Sequence, residues 1–423
     1  MLKVLYLGYV WPEPNSSAAG GRTLEILSSF REQAWEVMYA SAASLSPHRF
    51  PLEQLGIAER LIAINDDAFD DLLREYRPEL VVFDRFFTEE QFAWRVEKTC
   101  PTAVRVLDTC DLHSLREARQ QLLKEQLQQH GRWHAPDMQQ IAQAMRQNDL
   151  AIREIAAILR CDLSLMISDV EMHLLENVFA VPPSILQLNR LMLLPQKSHV
   201  RPSYDERHDF VTIGNFRHAP NWDAVLWLKQ VIWPALRKRL PTAQLKVYGA
   251  YPPPKAMQLH SERDGFQVLG WAENAQEVMA NARVCLAPLR FGAGIKGKLA
   301  DAMLAGTPSV TTSVGAEAMD DAGAWPGVVS DDVDTFVQAA VDLYQDCERW
   351  SQAQVLGDKI LATLFDRERD QQELINRIVY VRENLAQIRS SNFMGTMLRH
   401  HSMKSTQYMS QWITLKNQLP LSE

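Results

Sequence analysis

Between Arg290 and Thr312 the chain reads RFGAGIKGKLADAMLAGTPSVTT, with glycines at 292, 294 and 297 and lysines at 296 and 298 ahead of a short apolar run. That combination suits an anion. Glycine lets a backbone approach a ligand closely, and a helix start presents unpaired N–H groups at the positive end of its dipole. Lysines in a first helical turn work against that dipole, so Lys296 and Lys298 imply an anionic ligand that outweighs the repulsion. Asp301 follows Lys298 by three residues and shares its face one turn deeper, where a carboxylate can accept from both hydroxyls of a ribose. The expected site holds a diphosphate at the tip of a helix from about Gly294 to Leu304. Gly292, Ala293, Gly294 and Ile295 form its loop. An exposed lysine–aspartate pair on a merely permissive loop would use the same residues. The stretch contains neither the GxxxxGK[ST] of a P-loop nor the GxGxxG of a dinucleotide fold, which counts against simple NTPases and NAD dehydrogenases.

Other stretches place polar groups where a strand ends. RVLDTCDLHSLREAR, from Arg105, sets Asp111, His113 and Arg116 after a strand closing at Asp108, at the mouth where open α/β sheets bind ligands. FDRFFTEEQ, from Phe83, does the same with Asp84, Arg85, Glu89 and Glu90, which either position an acceptor or pair among themselves. In EPNSSAAGGRTLEILSSF, Gly20 and Gly21 precede Arg22 in the first turn of a helix and suit close approach of a backbone to an anion.

These residues need sheets to hold them. Short apolar runs begin at Lys3, Glu36, Arg60, Leu80, Ala103 and Leu163, and a second series begins at Asp209, Gln244, Phe266, Arg283 and Pro308. Helical patterns or turn clusters separate most of them, which predicts βα units and two doubly wound parallel sheets. A chain of 423 residues exceeds one ordinary core and accommodates both. The expected division is 1–200, 201–385 and a terminal helical segment 386–423, with a linker from Gln196. Between Ser114 and Arg160 the texture predicts two helices broken at HGRWHAPD, as an excursion from the sheet or a packing surface, mostly a solvated face. Another helical pair is expected from Asp366 to Leu419. The formal charge of -8 gives no general basic field for nucleic acid. The five cysteines are scattered without metal spacing, as reduced core thiols would be. The amino-terminal apolar run reads as a first strand rather than a signal peptide, and no stretch has transmembrane length. A cytoplasmic protein is expected.

The opening stretch, with DAMLAGTPSVTT at its end and IGNFRHAPNWDAVLWL and LKVYGAYPP upstream, resembles the donor-nucleotide half of GT-B glycosyltransferases of family 4. The resemblance covers most of the second series. It implies two Rossmann-like domains facing across a cleft and terminal helices packing back on the first. It also implies a retaining glycosyltransferase that takes a sugar from a nucleotide-diphosphate donor without an essential metal or other cofactor. Asn215 and Arg217 then belong to the diphosphate, as do Gly20, Gly21 and Arg22 from the facing loop. His113 would stand near the donor sugar with Asp111, while Asp84, Arg85 and Arg116 lie towards the acceptor. Family members usually carry a Glu-x7-Glu pair; Ala293 occupies its first position here and Asp301 its second. That departure shifts weight to the loop amides and Lys296.

Two other readings remain at this level. A GT-B nucleotide-sugar epimerase would need acid and base carboxylates, for which Asp108, Asp111 and Glu317 are available. A non-catalytic nucleotide-sugar-binding protein would explain the missing glutamate. The acceptor is open. The basic tail from Arg389, with its methionines, Tyr408 and Trp412, fits guidance of a lipid phosphate, a polysaccharide end or an RNA, peripheral membrane contact, or simply a packing helix.

Overall fold

The computed structural model describes residues 2–193, 201–320 and 323–418. The first domain is built on seven parallel strands: β1 (Lys3–Gly8), β2 (Glu36–Ser41), β3 (Ala58–Leu61), β4 (Leu80–Asp84), β5 (Val104–Asp108), β6 (Leu163–Met166) and β7 (Leu186–Leu188). Their order is β3-β2-β1-β4-β5-β6-β7. The second has six: β8 (His208–Ile213), β9 (Leu245–Tyr248), β10 (Phe266–Gly270), β11 (Ala282–Ala287), β12 (Ser309–Thr311) and β13 (Gly327–Val329), ordered β10-β9-β8-β11-β12-β13. Helices on both faces bury the inner strands throughout, so that every residue of β4 and β5 is out of solvent, Asp84 and Asp108 included. Chain order reverses between β1 and β4 and between β8 and β11, and each reversal opens a crevice at the carboxyl ends of the strands.

Two regions differ from the sequence expectation. Residues 113–160 form three helices, His113–His130, Met138–Arg146 and Asp149–Arg160. The extra break comes at Asn148, whose side chain caps the last of them by accepting from the Leu150 amide at 2.7 Å. The excursion has a solvated side, with most of 124–140 exposed, and also a packing side. Leu123 and Trp133 belong to the second domain's core, with Trp133 edge-on to Trp227 at 5.6 Å.

The chain also returns to the first domain before residue 386. Leu374, Ile378 and Val381 of the Arg367–Glu383 helix lie in the first domain's core, and Arg367 meets Glu32 at 2.6 Å. The helices Leu385–Ser391 and Phe393–Gln418 follow. Asn392 separates them, donating to the Leu159 carbonyl at 2.8 Å and accepting from the Gly395 amide at 2.9 Å. Residues Gln196–Val200 of the expected linker and Leu419 lie outside the described residues. No helix among the described residues is long and apolar enough to cross a membrane.

Candidate active-site cleft

The donor helix starts later than its sequence suggests, at Gly297, with Lys296 in the capping position. Gly292 to Lys296 therefore form a loop that reaches across to the other domain. A Cβ on Gly297 would lie 2.4 Å from that of Ala18, and one on Gly294, whose φ is +61°, would lie 2.9 Å from that of Asp111. These two glycines permit the domains to touch. The glycine loop and the Ala18–Glu32 helix thus face each other, and between the domains lies a cleft of about 600 Å³.

Thirteen of the seventeen expected site residues line that cleft: Gly21, Arg85, Asp111, His113, Arg116, Asn215, Arg217, Gly292, Ala293, Ile295, Lys296, Lys298 and Asp301. The other four are withdrawn, each for a visible reason. Arg22 is buried, donating to Asp108 at 2.8 Å and to the Asn189 carbonyl at 2.6 Å, so it ties the first helix to β5 rather than reaching a phosphate. Gly20 makes room for the Glu13 backbone, which a Cβ would meet at 2.5 Å. Asp84 is buried and accepts from the Tyr9 amide at 3.0 Å. The Gly294 amide is occupied by Glu171, at 2.8 Å from Oε1. Glu89 and Glu90 are also taken, by Arg160 and Arg153.

The left-handed turn at Cys110, φ +59°, throws Asp111 outward from the end of β5, where Arg116 binds it and His113 Nε2 stands 3.4 Å away. Burial alone would raise the Asp111 carboxyl, but Arg116, His113 and His218 more than offset it and hold it well below the carboxylate range. Burial lowers His113 to about 4, against the opposing pull of Asp111, so its imidazole is neutral near neutral pH. It packs edge-on to Phe87 at 5.3 Å. The His113–His130 helix offers no anion site, because Glu154 already accepts from the His113 and Ser114 amides at 2.9 Å each.

The donor helix differs. Its leading amides carry no carboxylate of the protein, and neither Lys296 nor Lys298 has a carboxylate salt-bridge partner among the described residues. Lys296 donates to the Gly294 carbonyl and Lys298 to Asn221 Oδ1, both at 2.8 Å. Burial lowers both amines to about 8. Lys296 feels Glu317 only at a distance, and two cations whose hydrogen-bond partners are neutral at a helix start are an incomplete arrangement that an anion completes. Asp301, pushed up to about 7 by burial and then by Glu25, lies further along the wall. Glu25 faces the cleft from the first domain and is itself raised by burial. A hydroxyl-bearing ligand between these carboxyls would relieve their mutual repulsion. At the rim, Arg217 lies 3.7 Å above the Tyr251 ring, and Asn215 Oδ1 accepts from the Arg217 amide at 2.9 Å.

Sequence reading missed several participants. Glu25, Asn221, His218 and Trp271 all line the cleft. Glu171 Oε1 joins the domains by accepting from Leu112 N at 3.0 Å and Gly294 N at 2.8 Å. Burial, followed by the nearby Asp111, raises its carboxyl to about 8. Arg119 holds Glu317 bidentately at 2.9 and 2.5 Å and donates to the Gly292 carbonyl at 2.8 Å. Of these, Glu25, Arg119, His218 and Asn221 lay inside quoted stretches without being singled out, and Glu317 was considered only as an epimerase carboxylate; Glu171 and Trp271 become neighbours of the site through folding alone.

Two Rossmann-like domains closed on such a cleft, with terminal helices crossing back, make this a GT-B fold protein. Residues 207–346 match the family model described as Glycosyl transferases group 1, and the chain is related to that family. No curated protein sequence matches it. Among solved structures it is similar to Anabaena HepE in complex with UDP and glucose, at 12% identity and TM-score 0.66, covering 90% of this chain and 100% of that one. Sucrose-phosphate synthase from Thermosynechococcus elongatus gives 15% and 0.63, covering 91% and 100%. WaaG, a glycosyltransferase involved in lipopolysaccharide biosynthesis, gives 14% and 0.57, covering 87% and 98%. At these identities the likeness is one of fold.

Proposed function

We propose that this protein transfers a sugar from a nucleotide-diphosphate donor to an acceptor hydroxyl with retention of anomeric configuration. The observation that carries this reading is the pair of amines, buried Lys296 and half-buried Lys298, without carboxylate salt-bridge partners among the described residues at the start of the donor helix. The diphosphate lies against them and the Gly297 and Lys298 amides, and the ribose lies along Asp301 and Glu25. The base extends towards Ala272 and Asn274, where a second cavity of about 940 Å³ opens beside Asp301. HepE has been crystallised with UDP-glucose, a donor of this chemical class.

In the reaction the bond from the anomeric carbon to the diphosphate oxygen breaks, and one to the acceptor oxygen forms. The acceptor's proton leaves with the nucleotide diphosphate. Fixed cations and N–H donors aimed at the leaving oxygens stabilise the charge that develops there. Neutral His113 hydrogen-bonds the sugar, held by Asp111, while Arg85 and Arg116 face the acceptor side and Arg217 closes the rim. The five free thiols fit a reducing, cytoplasmic setting.

An epimerase fits the site less well. Asp108 is bound by Arg22, Glu317 by Arg119 and Asp111 by Arg116, so each carboxylate of the expected set is already paired. A panel of nucleotide sugars, assayed by calorimetry and by release of nucleotide diphosphate, tests the proposal. Saturable binding with slow donor hydrolysis supports it. Interconversion of the intact donor supports epimerisation instead, and a panel without any binding removes the reading.

A further inference from the structure

The last helix presents a face that none of the described residues covers. Met403 and Ser410 are buried where it packs on the Arg85–Thr99 and Asp149–Arg160 helices, and Thr414 donates to the Asn65 carbonyl at 2.8 Å. On the opposite side Phe393, Met397, Tyr408, Trp412 and Leu415 are exposed, Phe393 by 75% and Trp412 by 58%. Their positions, with His401 and Lys404 between them, advance by three or four residues and so form one continuous stripe. Ile64, next to the Asn65 contact near the far end of the helix, is 44% exposed. Aromatic and methionine side chains on this scale are a cost in water and mark a surface that is used.

Charge identifies the occupant. No aspartate or glutamate occurs between Leu385 and Gln418, whereas Lys404 and Lys416 stand on the exposed side, in a chain whose formal charge is -8. Lys416 sits 5.2 Å from the Trp412 ring centre, a pairing of cation and indole that suits the level of lipid headgroups. The helix is too polar to span a bilayer; its character is that of one lying in the interface. We propose that the Phe393–Gln418 helix docks this protein on an anionic lipid bilayer, with its aromatic stripe among the headgroups and acyl ends and its lysines against the negative surface. The supporting Arg85–Thr99 helix begins at Arg85 on the cleft wall, which couples the docked surface to the acceptor side.

The test uses the full chain, co-sedimented with vesicles of phosphatidylcholine alone or mixed with phosphatidylglycerol. Binding to the mixed vesicles should exceed binding to phosphatidylcholine by at least about tenfold and weaken with salt. Phe393→Ser/Trp412→Ser and Lys404→Glu/Lys416→Glu should each reduce it about tenfold. Both variants should keep the wild-type melting temperature, because the altered side chains are exposed. Their nucleotide-sugar affinity should also be unchanged, which separates this inference from the sugar-transfer reading. Failure to sediment with anionic vesicles at low salt would overturn it. So would a dimer in sedimentation velocity that the Phe393→Ser/Trp412→Ser variant dissociates, since the stripe would then be covered by a second copy.

Discussion

Replacing Lys298 with methionine should move affinity and stability in opposite directions. Burial brings the amine from 10.5 to about 8, and at about 1.4 kcal/mol per pKa unit, keeping it charged near neutral pH destabilises the ligand-free fold by at most about 3 kcal/mol. The sign follows from the direction of the shift. A lysine whose folded pKa is below its unfolded value opposes folding while charged, and the penalty fades as pH rises from about 8 to 10.5. Methionine keeps the stem and removes the charge, at the loss of the Asn221 contact, which is worth about 0.5–1.5 kcal/mol. The melting temperature of the ligand-free variant should therefore hold or rise. Nucleotide-sugar affinity, by contrast, loses a charge-assisted contact of about 1.5–3 kcal/mol, or roughly ten- to a hundredfold. In the wild type, affinity should be level below about pH 8 and decline above it as Lys296 and Lys298 lose their protons. The variant should show a shallower decline. Calorimetry from neutral to alkaline pH and a thermal melt supply all the quantities. Affinity within about twofold of wild type, with an unchanged pH profile, would make Lys298 a partner of Asn221 and nothing more.

His113→Ala should reduce turnover far more than nucleotide affinity, since the proposed diphosphate contacts lie on the second domain; a preserved rate would remove the imidazole from the mechanism. Because His113 is held at about 4, the wild-type rate should also show no histidine inflection near neutral pH. Glu171→Gln should be nearly silent in thermal melts near neutral pH, where a carboxyl raised to about 8 is already mostly protonated. Glu171→Ala instead strands the Leu112 and Gly294 amides, costing about 1–3 kcal/mol, and should raise KM as the glycine loop loosens. Equal stability of the two variants would show that the domains meet without this bridge.

What the sequence disclosed and concealed follows from how far apart the informative residues lie. A buried parallel strand announces itself as an apolar run, and so the strands from β1 to β12 were anticipated, apart from β7; three-residue β12 is internal and fully buried, whereas β7 and β13, equally short, are part-exposed edge strands with little apolar run of their own. Local turn chemistry placed Lys296, Lys298 and Asp301 on one loop and helix. What sequence could not disclose was competition for the same groups. Arg22 is eighty-six positions from Asp108, and Glu171 is one hundred and twenty-three from the Gly294 amide it occupies. Both were therefore invisible to spacing. The consequence is asymmetric: a glycine or arginine near an expected phosphate site is ambiguous until its partners are known, whereas a lysine at a helix start that donates only to neutral oxygens is informative, because no carboxylate among the described residues lies within ion-pair distance of it. The donor site rests on two such lysines, and for that reason the affinity loss at Lys298, measured beside a melting temperature that holds or rises, weighs more than any number of further likenesses of fold.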